Sequence, residues 1–479
     1  MLTIQFHGAA REVTGSCHLL YVDRRPTLLD CGLCQGRRAD AREKNLTFPV
    51  DPATIHSVIL SHAHIDHSGN LPQLARQGFT GPIYSTGATA QLSQYMLRDS
   101  ARIQESDTEY LNKKRAKKGE PPLEPLYILE DADEALSRFI GMPYHRPFHV
   151  LRKLRATFHN AGHLLGAAGI LLEAEQKDGS VVRLGFSGDV GRKTHPFLLP
   201  PEPIEELDYL ILESTYGNRF HDEEMDLRAR LLEIVQRVVE RGSKLLIPAF
   251  ALGRTQLIVY HLNALWNEGK LPRIPVYVDS PLSADVTEIY RQRYECCDEA
   301  TRALLLKDDD PFGFDSLTYV REAEHSKKLN AAKGPMIVIS AAGMCEAGRI
   351  LHHLKHGVGD PKNIVLIVGY MAEDTLGRKL LQGDKKVRIL SDDYVVKCEV
   401  ESLEGFSAHG DQTDLSAWAM AAARGGRLKK VFLVHGEQPS LETLRDLLAE
   451  RLNANRAEKS PEIEVLIPSR GDRFDLAKD

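Results

Sequence analysis

The chain has 479 residues, enough for two or three domains rather than one. Hydrophobic residues make up 42% and charged residues 27%, the balance of a globular protein rather than a disordered or fibrous one. Aromatic residues are only 7%, which disfavours a nucleic-acid surface built mainly on base stacking. The net charge of −6 decides little, because two bound divalent ions, for example, would add about +4 locally. No apolar run approaches the roughly 18–20 residues of a membrane span. The start, Met1-Leu-Thr-Ile-Gln-Phe-His-Gly, reads as a strand and turn rather than a targeting signal. The 7 Cys are an odd count, and the adjacent Cys296 and Cys297 are poorly placed to bridge each other. Free thiols and a soluble, cytoplasmic protein are expected.

Residues 2–6, 16–22 and 25–30 read as short strands punctuated by Gly8, Gly15 and Gly32, the third ending at Asp30. Ser57-Val58-Ile59-Leu60 is a further buried strand, and it runs into Ser61-His62-Ala63-His64-Ile65-Asp66-His67-Ser68-Gly69. A helix over 71–77 and a strand over 82–85 follow, so the architecture is α/β in layers. Residues 88–140 read as long helices that include the basic segment 113–118, best taken as a solvated helix face, with a nucleic-acid contact as the alternative. Strands are expected at 150–158, 168–174 and 181–186. His163 follows the first of them and Asp189 the last, each flanked by glycine, the usual setting for site residues carried on loops of a rigid sheet.

From about residue 207 a second α/β pattern begins. A strand over 208–212 ends at Glu213, and a helix over 226–241 follows. Strands at 244–247, 276–278, 336–340 and 364–368 then alternate with helices, which implies a parallel sheet. Each runs into a small-residue turn such as Asp279-Ser280-Pro281 or Gly369-Tyr370, and ligands bind at such strand ends. Near 385 the sequence becomes strand-rich again, leading to Ser407-Ala408-His409 and to an apolar strand that ends at His435. The polar tail from Arg456 contains a probable strand over 464–467. The expected division is 1–206, 207–385 and 386–479.

His62, His64, Asp66, His67, His163, Asp189 and His435 are seven candidate ligands, the right number for two metals sharing one carboxylate. Asp189, an acceptor with two oxygens, is the natural bridge. Imidazole with carboxylate suits zinc, with iron or manganese as alternatives. Two close metals activate water and clamp an in-line displacement, which suits phosphodiester hydrolysis. Asp30 is better suited to orienting a ligand histidine through its ring N–H than to ligation. Glu213 and His409 are candidates for a carboxylate–imidazole pair that delivers a proton to the leaving oxygen.

These motifs resemble those of the metallo-β-lactamase superfamily. Glu213-Ser214-Thr215-Tyr216-Gly217, Ser407-Ala408-His409 and Val434-His435-Gly436-Glu437 resemble the β-CASP nucleases within it, especially bacterial and archaeal relatives of the pre-mRNA 3′-end processing endonuclease. The resemblance implies an αββα sandwich interrupted by a parallel-sheet β-CASP domain. It implies two Zn2+, with Mn2+ as the alternative ion: one bound by His62, His64 and His163, the other by Asp66, His67 and His435, with Asp189 bridging. It implies RNA as substrate, cut endonucleolytically with 5′-to-3′ trimming as a second mode, and Glu213 with His409 as the proton-donating pair. Ser407 and Arg254 resemble positions that contact a backbone phosphate. His435 itself matches a position where histidine accompanies RNA and valine accompanies DNA. Neither the KH-like extension of archaeal relatives nor a large C-terminal domain is expected. A DNA-directed nuclease and a non-catalytic scaffold are the rival readings, and homodimerisation is left open.

Overall fold

The structure is a computed structural model that describes residues 2–36, 38–221, 227–307, 310–369, 371, 374–454 and 461–477. The expected helix start at Asp226, the turn residue Tyr370 and the first residues of the tail from Arg456 lie outside these described residues. The chain divides into two units, Met1–Phe220 with His409–Asp479, and His221–Ala408.

In the first unit, Leu2, Ile4 and Phe6 of strand Leu2–Phe6 are all buried in the core. That strand lies in a seven-stranded sheet ordered Arg473–Asp475, Leu2–Phe6, His18–Val22, Arg25–Leu29, Ser57–Ile59, Ile83–Thr86, Phe139–Met142. A second seven-stranded sheet runs Glu464–Leu466, Lys430–Val434, Tyr209–Glu213, Val181–Phe186, Ala168–Glu175, Leu154–Asn160, Phe148–Leu151. Ile4, Phe6 and Leu20 of the first sheet share one core with Phe158, Ile170, Phe186, Ile211 and Phe432 of the second. Helices cover both outer faces. Leu71, Leu74 and Leu97 pack on Leu28 and Val58, while Leu415, Trp418 and Leu444 pack on Leu210, Leu212 and Leu433. Each such fully buried Leu contributes about 1.5–3 kcal/mol. The unit is therefore the expected αββα sandwich.

Two local expectations need correction. The single strand over 150–158 is a hairpin, Phe148–Leu151 with Leu154–Asn160, because the charged pair Arg152-Lys153 forms its turn. The stretch 88–140 holds helices Gly87–Ala116 and Leu129–Leu136, the first capped by the Thr86 hydroxyl, and then an edge strand, Phe139–Met142. That strand is largely exposed and lacks the alternation that announces a strand. In the basic segment, Lys113 pairs with Glu109 and Arg115 with Glu120, as a solvated helix face does.

The second unit is built on a six-stranded sheet ordered Leu317–Tyr319, Val276–Val278, Met336–Ser340, Lys244–Pro248, Ile364–Ile367, Glu399–Ser402. Every pairing in it is parallel. The hairpin Lys386–Ile389 with Asp392–Val395 lies beside it in sequence. The unit boundaries fall later than 207 and 386 for a pairing reason. Strand Tyr209–Glu213 sits between Val181–Phe186 and Lys430–Val434 in the sandwich, and Glu399–Ser402 pairs with Ile364–Ile367 in the parallel sheet. None of the seven cysteines forms a disulfide among the described residues. Among them, Cys31 and Cys34 stand at a Cys-x-x-Cys spacing.

Candidate metal centre

Strand Ser57–Ile59 ends in the core, and the chain turns at once into the short helix Ile65–Ser68. This turn places His62, His64, Asp66 and His67 together. His163 arrives from the turn after Leu154–Asn160, Asp189 from the turn after Val181–Phe186, and His435 from the end of Lys430–Val434. His435 adopts a left-handed backbone, φ 52°, held by its N–H donating to the Ala9 carbonyl at 2.7 Å.

The ring nitrogens converge in two sets. His64 Nδ1 lies 3.1 Å from His62 Nε2 and 3.3 Å from His163 Nε2. His67 Nε2 lies 3.2 Å from His435 Nε2, which is 3.5 Å from Asp66 Oδ2. Asp189 spans the two. Its Oδ2 is 3.5 Å from His62 Nε2 and 3.6 Å from His163 Nε2, and its Oδ1 is 3.1 Å from His67 Nε2 and 3.6 Å from His435 Nδ1. Asp189 Oδ1 is buried without a hydrogen-bond partner among the described residues.

Imidazole nitrogens this close share at most one proton per pair, so lone pairs must face one another. That arrangement is costly unless a cation sits between them. Burial and the neighbouring histidines hold His62 and His163 far below the ordinary imidazole range, and burial holds His64 at about 4. All three are neutral, the ligating form. Burial opposes ionisation of Asp189, but His435 and His67 outweigh it and keep the carboxylate charged. At His67 burial is again outweighed, by Asp189 and Asp30, which favour a positive charge there. A proton or a metal cation can supply it. The donor set therefore fits divalent ions.

Asp30 sits behind this centre. Its Oδ2 is 2.6 Å from His67 Nδ1 and accepts from the hydroxyls of Ser61 (2.9 Å) and Ser16 (3.1 Å), while Oδ1 accepts from the Ser61 N–H (2.7 Å). Because the Ser61 hydroxyl is committed to Asp30, His62 Nδ1, 3.0 Å away, is the donor to Ser61 Oγ. One buried carboxylate thus sets the tautomers of two histidines and turns both Nε2 lone pairs inward. Sequence reasoning identified Asp30 but missed Ser16, Ser61 and Thr215, whose Oγ1 lies 3.1 Å from His435 Nδ1. Ser61 adjoins His62 and Thr215 lies two residues past Glu213, whereas Ser16 lies near no candidate ligand in the sequence.

Glu213 and His409 do meet. His409 Nδ1 is 3.1 Å from Glu213 Oε1, which also accepts from the Val190 N–H at 2.8 Å, and Oε2 accepts from the Thr215 N–H at 3.1 Å. His409 Nδ1 is 3.9 Å from Asp189 Oδ2. Burial alone would lower the His409 pKa, but Glu213 and Asp189 outweigh it and raise it. Arg254 and Ser407 lie in the inserted unit. There the Arg254 guanidinium donates to the Val368 carbonyl at 2.5 Å, and Ser407 is buried.

Most of the chain is similar to known proteins. A metallo-beta-lactamase superfamily domain matches residues 19–182, a Beta-Casp domain matches 255–380, and a Zn-dependent metallo-hydrolase RNA specificity domain matches 393–468. Ribonuclease TTHA0252 of Thermus thermophilus is 38% identical, over 93% of this chain and 95% of its own. An RNase J-like protein of Methanocaldococcus jannaschii is 30% identical, over 91% and 93%. Cleavage and polyadenylation specificity factor 73 of Drosophila melanogaster is 28% identical, over 95% of this chain and 63% of its own. A crystal structure of a protein of unknown function from Enterococcus faecalis V583 shares the fold, with a TM-score of 0.52, 13% identity and 99% of each chain covered. The chain belongs to the β-CASP ribonucleases of the metallo-β-lactamase superfamily.

Proposed function

We propose that the chain hydrolyses RNA phosphodiester bonds with two divalent ions, preferably Zn2+, releasing 5′-phosphate and 3′-hydroxyl ends. The observation that carries this reading is Asp189, whose two oxygens each face a separate set of converging nitrogens. In it, His62, His64 and His163 hold one ion, Asp66, His67 and His435 hold the other, and Asp189 bridges. When bound, such a pair supplies Lewis acidity that activates water and neutralises charge developing on the phosphoryl oxygens. Glu213 fixes His409 through Nδ1, so the imidazole presents Nε2 to the departing 3′ oxygen and donates a proton there. The kinship with named ribonucleases supports RNA over DNA, and no helix among the described residues is long and apolar enough to cross a membrane. Seven free thiols are consistent with a cytoplasmic setting. Ser407 and Arg254 are proposed to help hold the RNA backbone.

The test is cleavage of internally labelled and 5′-labelled RNA beside DNA of the same sequence, with Zn2+ or Mn2+ supplied. Discrete RNA fragments with 5′-phosphates are expected, as from an endonuclease. Mononucleotides alone would make the enzyme an exonuclease, equal cutting of DNA would overturn the substrate, and intact RNA would leave a scaffold.

A further inference from the structure

A second cluster of metal-ligating side chains lies in the sandwich and shares no residue with the donor sets around Asp189. His145, in the connection between Phe139–Met142 and Phe148–Leu151, His159, near the end of Leu154–Asn160, and Glu202 place one ligand atom each within 4.8 Å of one another. We propose that His145, His159 and Glu202 bind a further divalent cation of the zinc class, separate from the catalytic ions.

Four observations support a built site. His145 Nε2 is 3.2 Å from Glu202 Oε2, and the two imidazoles meet edge to face with centroids 5.4 Å apart. His159 Nε2 is buried and makes no hydrogen bond among the described residues, a cost that a bound cation removes. Each ligand is held by backbone. His145 sits at φ 59° with its N–H donating to the Phe158 carbonyl at 2.9 Å, and Glu202 donates its N–H to the Asn160 carbonyl at 2.8 Å. The Asn160 amide in turn donates to the carbonyls of Leu199 (3.1 Å) and Pro200 (2.9 Å). Finally, burial and the neighbouring His145 lower the pKa of His159, which keeps it neutral.

Two imidazoles and one carboxylate form a common three-residue set for zinc, leaving a position for water. The side chains of His145 and Glu202 are 58% and 43% exposed, so an ion can enter from solvent. A lone exposed His–Glu ion pair would account for His145 and Glu202 but not for the orphaned nitrogen of His159. The cation would tie the 145 turn, the segment 199–202 and the end of strand Leu154–Asn160 together, four residues before His163. It is a brace for the turn that delivers a catalytic-centre histidine.

The test is equilibrium dialysis of the full-length protein against buffered micromolar Zn2+, with metal per chain measured by plasma emission. His145→Ala and the near-isosteric Glu202→Gln are each expected to bind one equivalent less than wild type, with unchanged far-ultraviolet circular dichroism. The difference between proteins is the readout, so the result is independent of how many ions the catalytic centre holds. Equal metal content in wild type and Glu202→Gln, with both folded, would overturn the proposal.

Discussion

Asp30 and His67 are joined by a 2.6 Å contact between two fully buried side chains, and neither faces solvent enough to exchange its partner for water. Asp30 thereby orients the donor set without being part of it. Asp30→Asn keeps the shape but removes the charge and lets the His67 ring rotate. Metal affinity is expected to fall about 10–100-fold, measured by competition with a chromophoric zinc chelator. An unchanged affinity would remove Asp30 from its orienting role.

The Glu213–His409 pair separates proton delivery from metal binding. His409→Ala is expected to lower the RNA cleavage rate roughly 10²–10⁴-fold while the protein keeps its bound metal. Glu213→Gln should fall in the same direction by less, because the amide still meets Nδ1 but no longer stabilises the charged ring. Loss of metal in His409→Ala, or full activity in it, would each defeat the assignment.

The convergence of the seven candidate ligands was legible in the sequence because each stands at a strand end beside glycine or in a dense His-x-His-x-Asp-His run. Chemistry at such positions leaves few alternatives. The parallel sheet was legible because buried strands such as Ile364–Ile367 are continuous apolar runs, whereas the αββα sandwich was implied only by the resemblance to the metallo-β-lactamase superfamily. The unit boundaries were not. Strand Tyr209–Glu213 looks the same whether it pairs with Lys430–Val434 or opens a new sheet, and only long-range pairing decides. The edge strands Phe139–Met142 and Arg473–Asp475 carry little apolar pattern because they are partly exposed. Ser61 and Ser16 escaped notice because a serine carries no chemical signature until its hydroxyl has a partner.

Gly191, two residues past Asp189, shows how tightly the loops meet. A Cβ there would lie 1.9 Å from the Gly162 carbonyl oxygen and 2.5 Å from the His163 nitrogen. Neither backbone atom can yield without moving His163. Gly191→Ala is expected to lose the histidine's ligating position and most cleavage activity. A crystal structure of the variant with His163 unmoved, or undiminished activity, would contradict this.

Metal removal should loosen the first unit more than the second. The donor residues join positions 62–67, 163, 189 and 435, which are far apart in the chain, so ions bound only by the folded state stabilise it by mass action. At a free-ion concentration of about 1,000 Kd this amounts to roughly 4 kcal/mol per site. Chelation is expected to lower the melting temperature reported by the buried Trp418 of the first unit. The transition reported by Trp266 of the second should move less. Equal shifts in both would mean that the ions do not act through the sandwich.

Asp279 gives the inserted unit an acid limit. It ends strand Val276–Val278 fully buried, with Ser326 Oγ at 2.6 Å, Arg349 Nη1 at 2.7 Å and His353 Nε2 at 2.6 Å. Burial opposes its ionisation, but the hydrogen bonds from His353, Ser326 and Arg349 outweigh it and hold the carboxyl below its ordinary value. A carboxyl with a depressed folded-state pKa contributes stability that is fully present above its unfolded value, about 3.9. That contribution is lost as the pH falls through the folded value. Asp279→Asn is therefore expected to cost about 1–3 kcal/mol at neutral pH. The gap from wild type should narrow only below about pH 4, where protonation does to the wild type what the substitution does permanently. Urea unfolding followed through Trp266, in a Trp418→Phe background, measures it. A gap that stays constant down to pH 3 would show that the carboxylate's charge is not what the inserted unit uses.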